Sequence, residues 1–385
     1  MQISNKLSER ILLLGKQPRF DRSFFILTLM IALFGTLMVF SAGSAYAEFR
    51  YGDALFFVKR QIAWLILGIA VMLFASRINP SFYFASVPYL YAVTILLLIL
   101  VLAVGLVGNG AQRWISIGPL TVQPSEIAKL TIVMALAYYF SVYEDRAINV
   151  KDEKHKFIYG TVIPTVIIAV PILLVMLQKH LSCIIILGII GLVVIIASGI
   201  DTKYISFFSL LGVAGVSCIA FFTDYTKDRI TVWRNPEAYQ LTGGWQTLQG
   251  LMAIGSGGLF GVGYGKSLLK HCYVSEPAND MIFAILCEEL GFIGALLALA
   301  LFALLTVRGY KLAVLAENVF ERLVIFGIST KIAVQVLLNV AVVTNTIPNT
   351  GISLPLFSYG GSSLIMIFFE IGMVLSFSRG AKITK

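Results

Sequence analysis

The sequence predicts an all-α polytopic membrane protein of about ten transmembrane helices, with its N- and C-termini in the cytoplasm. Three observations predict it. Of 385 residues, 58% are hydrophobic and only 13% charged, against about a quarter charged in a soluble domain. The apolar runs are long and continuous rather than alternating, which excludes the pattern of a β-barrel. Basic residues gather between those runs at points that one topology places on a single side. The net charge of +9 therefore belongs to membrane-flanking clusters, and no nucleic-acid partner is expected. Glycine and proline inside the apolar runs are of the kind that transmembrane helices tolerate.

A span needs about 17–25 apolar residues. Ten runs qualify: 24–45, 57–76, 84–107, 124–142, 157–177, 181–199, 204–222, 281–306, 323–345 and 359–378. The first ends in Ala45-Tyr46-Ala47, which mimics a signal-peptidase site. Its apolar run exceeds the roughly 7–15 residues of a signal core, so it is read as a retained helix. Lys6, Arg10, Lys16, Arg19 and Arg22 precede it. Arg146, Lys151, Lys154 and Lys156 follow the fourth run, Arg308 and Lys311 the eighth, and Arg379, Lys382 and Lys385 the last. Ten spans put all of these on one side, cytoplasmic by the positive-inside rule. The chain is read as one membrane domain, 1–385, with a cytoplasmic tail at 1–23 and a large extracytoplasmic loop at 223–280.

That loop carries Trp233, Pro236, Trp245 and the run AIGSGGLFGVGYGKS at 253–267. It reads as a segment lying on or dipping into the membrane interface, without a globular domain of its own. No internal repeat is visible. Cys183, Cys218, Cys272 and Cys287 form no CxxC pair, and His155, His180 and His271 are far apart. Neither a disulfide framework nor a metal site is supported.

Four constellations could carry chemistry. In QPSEIAK (123–129), Pro124 suits a first helical turn, and Glu126 and Lys129 share a face and can pair. Such a pair either neutralises itself or works on a ligand, since an ionisable residue inside a span marks function by default. The glycine run with Lys266 and Lys270 could bring backbone amides to phosphate, or be a flexible surface loop; its spacing is not that of a P-loop. In NDMIFAILCEELG (279–291), Asp280 stands at an expected N-cap and could be no more than a cap. Glu288 and Glu289 lie further along the same segment, must face protein or water, and could pair with a cation such as Lys331. Finally, PLFSYGGSS (355–363) is a small, hydroxyl-rich turn, with Ser358 and Ser362 able to meet a ligand head group; small residues also permit close packing.

Taken together, NGAQRWISIGPLTVQPSEIAKL, QTLQGLMAIGSGGLFGVGYGKS, EPANDMIFAILCEELGFIG and ISLPLFSYGGSSL resemble the signatures of the SEDS (FtsW/RodA/SpoVE) family, named for shape, elongation, division and sporulation. The resemblance runs in order over nearly the whole chain. FFVKRQIAW and the SYGGSS stretch are more similar to the division and sporulation branch than to the elongation branch. The resemblance implies a ten-helix fold in the bacterial cytoplasmic membrane and peptidoglycan glycosyltransfer. Lipid II, a disaccharide-peptide on undecaprenyl pyrophosphate, would be polymerised into β-1,4 glycan strands on the outer face, with a class B penicillin-binding protein as partner. The family's essential acidic residue falls on Asp280, and its intramembrane Glu and Lys on Glu126 and Lys129. Two stretches depart from the family pattern. Where Gln-Pro-Asp-Leu-Gly-Thr is usual, this chain has Gln178-Lys179-His180-Leu181-Ser182-Cys183, without the acid. The stretch TNTIPNTG (344–351) carries Asn345 and Asn349 where Gly and Val are common.

The expected mechanism makes Asp280 the general base for an inverting attack. Arg113, Lys129, Arg229, Lys266 and Lys270 are the candidate cations for the pyrophosphate leaving group. No cofactor is assured; a divalent ion on the pyrophosphate is chemically plausible, but no dedicated cage is readable. The competing functions are a lipid II flippase and a non-catalytic scaffold of the division or cortex machinery.

Overall fold

The computed structural model describes residues 20–108, 111–117, 120–147, 152–200 and 224–380, with the isolated positions 212 and 215. In chain order the long helices are α1 (Arg22–Tyr51), α2 (Phe56–Ala75), α3 (Pro80–Val104), α4 (Pro124–Val142), α5 (Glu153–Leu177) and α6 (Leu181–Ala197). Two further helices, α7 (Asp224–Arg234) and α8 (Trp245–Gly257), precede α9 (Ile282–Leu315), α10 (Val319–Val343) and α11 (Gly361–Ser378). Eight of these are long and apolar enough to cross a membrane, and α6 is a shorter apolar helix. Nine of the ten expected spans thus coincide with helices. The expected span at 204–222, the basic residues before Phe20, Lys151, and the last five residues lie outside the described residues.

Burial separates inner from outer helices. Of the apolar stretches, 72% of α4 and 67% of α10 and α11 are buried, against 22% of α2 and α3. The inner helices can carry polar groups because protein, not lipid, surrounds them. They do: Lys129, Lys331, Gln335, Asn339 and Glu370 are all buried. Close approach depends on small residues; a Cβ at Gly372 of α11 would run into the Met72 backbone of α2.

One end of the bundle is tied by Asp21. Its carboxylate caps α1 at Phe24 N (2.7 Å) and accepts from the Arg308 guanidinium of α9, while its own N–H donates to Ser378 Oγ at the end of α11 (3.1 Å). The start of α1, Arg308 and the end of α11 therefore share one end. Ala45–Ala47 lies inside α1, which continues to Tyr51.

Two connections between spans carry secondary structure. The 108–123 connection is part of a three-stranded antiparallel sheet, β1 (Leu106–Gly108), β2 (Ala111–Ile117) and β3 (Leu120–Val122), in the order β1-β2-β3. Short strands interrupted by glycine carry too little periodicity to be read as a sheet in advance. The 223–280 loop contains α7, a 3₁₀ turn at Pro236–Tyr239 and α8, which packs on α9.

The glycine run packs against a break in α9. At Gly291 the chain turns to φ 67°, ψ −168°, and α9 breaks into two arms. The break removes helical partners from the carbonyls of Glu288 and Glu289 and from the amides of Phe292 and Ile293. The glycine loop supplies all four. Val262 N and Gly263 N donate to Glu288 O (2.9 Å) and Glu289 O (3.0 Å), and Phe292 N and Ile293 N donate to Gly258 O (2.9 Å) and Leu259 O (3.2 Å). Such an exchange is what allows a helix to break at membrane depth. Glycine is needed because the backbones touch: a Cβ at Gly257 or Gly261 would clash with the Cys287 or Glu289 carbonyl. Two amides of the run expected to meet phosphate, Val262 N and Gly263 N, are thus already committed.

Candidate active site

The end of the bundle opposite Asp21 holds a cavity of about 840 Å³, within the usual range for ligand sites. Asp280, Glu276 and Asn279 enter it from the loop before α9. Arg60 and Trp64 come from α2, Arg113 and Trp114 from β2, Glu126 and Lys129 from α4, and His180 from the break between α5 and α6. Gln335 of α10 and the 351–353 and 359–363 stretches close it. Five of the residues singled out in the sequence therefore meet here: Asp280, Arg113, Glu126, Lys129 and Ser362.

Asp280 is not a helix cap. The cap position of α9 is Met281, and no side chain caps it. Instead the backbone around Asp280 is stitched down at three successive carbonyls. Ala278 O accepts from Tyr359 N (2.9 Å), Asn279 O from Ser358 Oγ (2.8 Å) and Asp280 O from Asn339 Nδ2 (2.9 Å). Ser358 also accepts from Leu354 N (2.8 Å), and Asn339 also donates to Ile352 O (2.6 Å). The expected ligand residue Ser358 is therefore spent on holding two loops together, and lies outside the lining of the large cavity. Gly351, at φ 68°, sits against the carboxylate; a Cβ there would lie 3.1 Å from Asp280 Oδ2. Only glycine combines that backbone with that clearance.

Its backbone is held, and among the described residues its side chain makes no ion pair. Burial, then the nearby Glu276 carboxylate, push its pKa up to about 6, while Arg229 pulls the other way. A carboxylate with that basicity suits proton abstraction near neutral pH.

The cations expected at the site divide. Arg113 lines the cavity and donates to the Lys179 carbonyl. Lys129 lines it as well, but its ammonium is bonded to Glu126 Oε1 at 2.7 Å. Arg229 donates to the Asn349 carbonyl from α7 and lies outside the lining. Lys266 is exposed on the glycine loop. Lys270 is buried against Glu289 (2.9 Å), Ser41 Oγ (3.1 Å) and Gly265 O (2.7 Å). Lys270 is a structural staple, because Glu289, deep in the bundle, needs its charge. Glu289 also accepts from Ser41, and Glu288 accepts from Ser267 Oγ and Leu268 N (2.9 Å). Neither glutamate meets Lys331, which pairs with Glu370 (2.6 Å). That pairing corrects the expectation from sequence, which had no means of matching α10 with α11.

The two departures from the family pattern fit locally. Asn345 takes a left-handed backbone (φ 55°) and its carbonyl accepts from Trp233 Nε1 (2.9 Å); asparagine tolerates that region well. Asn349 donates to Gln246 of α8 (3.0 Å) and accepts from Gly351 N (3.1 Å). His180 faces Ser125 Oγ at 3.3 Å, and burial, with Arg113 and Lys129 near, pushes its imidazole down to about 3. A neutral group thus stands where the family pattern has an acid. Among the described residues no group of three or more His, Cys, Asp or Glu side chains is arranged to hold a metal ion.

Sequence reasoning missed Arg60, Glu276, Asn339 and Gly351. Glu276 had a readable signal, four residues before Asp280 in a stretch with Pro277. Arg60 also had one, as a charge inside an apolar run. Asn339 and Gly351 had none, because their partners are distant in sequence.

Comparison with known proteins runs over nearly the whole chain. The family model described as "Cell cycle protein" (FtsW/RodA/SpoVE) matches residues 21–383. The chain belongs to this family. It is 37% identical to stage V sporulation protein E of Bacillus subtilis over 92% of this chain and 95% of that one. It is 34% identical to the peptidoglycan glycosyltransferase MrdB of Escherichia coli K12, over 92% of each. Among solved structures, a chain of a peptidoglycan synthase complex that coordinates polymerization and crosslinking superposes with TM-score 0.78 at 27% identity, covering 95% of this chain and 99% of that one. The rod shape determining protein RodA of Thermus thermophilus superposes with TM-score 0.69 at 27% identity, covering 95% and 98%. A probable peptidoglycan glycosyltransferase FtsW of Geobacter sulfurreducens is 32% identical over 94% of this chain and 96% of that one.

Proposed function

We propose that this chain is an inverting peptidoglycan glycosyltransferase that polymerises lipid II on the outer face of the cytoplasmic membrane, in cell division or sporulation. Family membership supplies the reaction class. The observation that carries the reading is Asp280, backbone-fixed and without an ion pair among the described residues, in a large cavity that also presents Arg60, Arg113 and Lys129. In this reading the Asp21 end of the bundle and both termini are cytoplasmic, and the cavity and the 223–280 segment face outward.

Asp280 takes the proton of the acceptor 4-hydroxyl of N-acetylglucosamine. That oxygen attacks C1 of the donor N-acetylmuramic acid, and the C1–O bond to undecaprenyl pyrophosphate breaks. An α-linked donor giving a β-linked product is inverted once, so one in-line base suffices. A positioned base contributes about 10²–10⁴-fold. Arg60 and Arg113 meet the charge that grows on the leaving pyrophosphate, and Ser362 faces the same space. The Glu126–Lys129 pair forms part of the cavity wall. A class B penicillin-binding protein is the expected partner, by analogy with the synthase complex.

The test is purified protein with lipid II, with and without its cognate penicillin-binding protein, read out as glycan chain length. Glycan strands that disappear with Asp280→Asn support the reading. Lipid II crossing vesicle membranes without being polymerised would favour a flippase; neither activity, with intact partner binding, would favour a scaffold.

A further inference from the structure

Two charged side chains are placed in the neighbourhood of Asp280 by different elements. Glu276 lines the same cavity four residues earlier in the loop. Its backbone is left-handed, φ 53°, which a non-glycine residue keeps only where its surroundings enforce it. A tight turn enforces it here: Asn279 N donates to Glu276 O (3.0 Å) and Asn279 Nδ2 to the Glu276 carboxylate (2.6 Å). The carboxylate is thereby fixed on the cavity wall with Asp280. Arg229 comes from α7, where its guanidinium donates to the Asn349 carbonyl. Asn349 in turn accepts from Gly351 N (3.1 Å), and Gly351 abuts Asp280 Oδ2. The other charged groups facing the cavity are Arg60 from α2, Arg113 from β2 and the Glu126–Lys129 pair from α4.

We propose that Glu276 and Arg229 are opposed positioning residues that set the pH range in which Asp280 works as a base. Glu276 favours the protonated carboxyl and makes Asp280 a stronger base. Arg229 favours the carboxylate and keeps Asp280 ionised at neutral pH. The inference rests on the reading of Asp280 as general base. The direction in which each charge acts on Asp280 agrees with it, Glu276 raising and Arg229 lowering its proton affinity. A base works best when its proton affinity matches the ambient pH, and two opposing charges on separate elements are a means of holding it there.

The test is the pH dependence of lipid II polymerisation by purified wild-type, Glu276→Gln, Arg229→Gln, Arg229→Lys and Asp280→Asn proteins, each with its thermal unfolding midpoint. The acid limb should move to lower pH in Glu276→Gln and to higher pH in Arg229→Gln, each by roughly half a unit or more. Arg229→Lys should return it to the wild-type position. A merely structural role would lower the rate at every pH without moving the limb. Should Arg229→Gln fail to fold, the limb of Glu276→Gln decides. Limbs that coincide with wild type, or that move in the same direction, overturn the proposal while an inactive Asp280→Asn leaves the base reading standing. An Asp280→Asn protein that polymerises at the wild-type rate removes the base itself.

Discussion

Asp280 and the pair Glu288–Glu289 stand eight and nine residues apart on one short stretch, yet the fold treats them oppositely. The glutamates are enclosed. Glu289 has Lys270, Ser41 and Ser267 N, and Glu288 has Ser267 and two loop amides. Asp280 has its backbone anchored three times over, while its carboxylate faces a cavity with a second acid, Glu276, on the wall. The difference teaches how to tell a structural carboxylate from a working one inside a membrane protein. A carboxylate whose acceptor sites are filled has low free energy and little to offer a substrate. One that is held in place but left unsatisfied is costly to the fold and available for chemistry.

The comparison breaks first at Glu289. Glu289→Ala leaves Lys270 buried and unpaired, which costs about 3–5 kcal/mol. Expression and thermal unfolding in detergent should both suffer, and Glu289→Gln with Lys270→Met should recover much of the loss. A fully stable single variant would show that water already reaches the pair.

The converse change is Asp280→Asn. Glycan synthesis should fall at least roughly 100-fold, equivalent to about 2.7 kcal/mol of barrier, with lipid II binding retained. Stability should rise rather than fall. The folded carboxyl titrates near 6 instead of 3.8, so the folded state holds the extra proton between these values. Wild-type stability is therefore fully present below the lower value and declines as pH rises to the upper one. Asparagine cannot ionise and escapes that loss, so its unfolding midpoint at neutral pH should exceed that of wild type. A lower midpoint would mean that the carboxylate is structural after all. Asp280→Glu should restore little activity, because one methylene moves the base out of line.

Glu126 lies between the two extremes, paired like Glu289 but lining the cavity like Asp280. Glu126→Ala should destabilise less than Glu289→Ala, since its side chain is 13% exposed and Lys129 can meet water in the cavity. If Glu126→Gln with Lys129→Met is stable and active, the pair is structural; if it is stable and inactive, the pair handles substrate. The smallest effect is expected from Gly351→Ala. Adopting φ 68° with a Cβ costs about 1 kcal/mol, while the crowding of Asp280 Oδ2 should lower the polymerisation rate more than that strain alone predicts.

Much of this protein was legible in its sequence, and for identifiable reasons. Long apolar runs and paired basic loops are local signals, so nine of the ten expected spans coincide with helices. Asp280, Glu126 and Lys129 could be singled out because a charge beside or inside an apolar run is conspicuous wherever it sits, while the role of Asp280 and the choice of Arg113 followed from the family resemblance. What the residues do to one another was not legible. Lys270 and Lys266 read as phosphate ligands because glycine and lysine together suit phosphate; in the fold the Val262 and Gly263 amides serve the broken helix at Gly291, and Lys270 pairs with Glu289. Lys331 finds Glu370 rather than Glu289, across a helix contact that no local pattern encodes. Ser358 and Asn339 are bolts for the Asp280 loop only because residues some 60 to 80 positions away fold against them. Local chemistry and hydropathy are carried by neighbours in the chain. The proton affinity of Asp280 and the division of cations between site and scaffold depend on distances between elements, which exist only once the helices have packed.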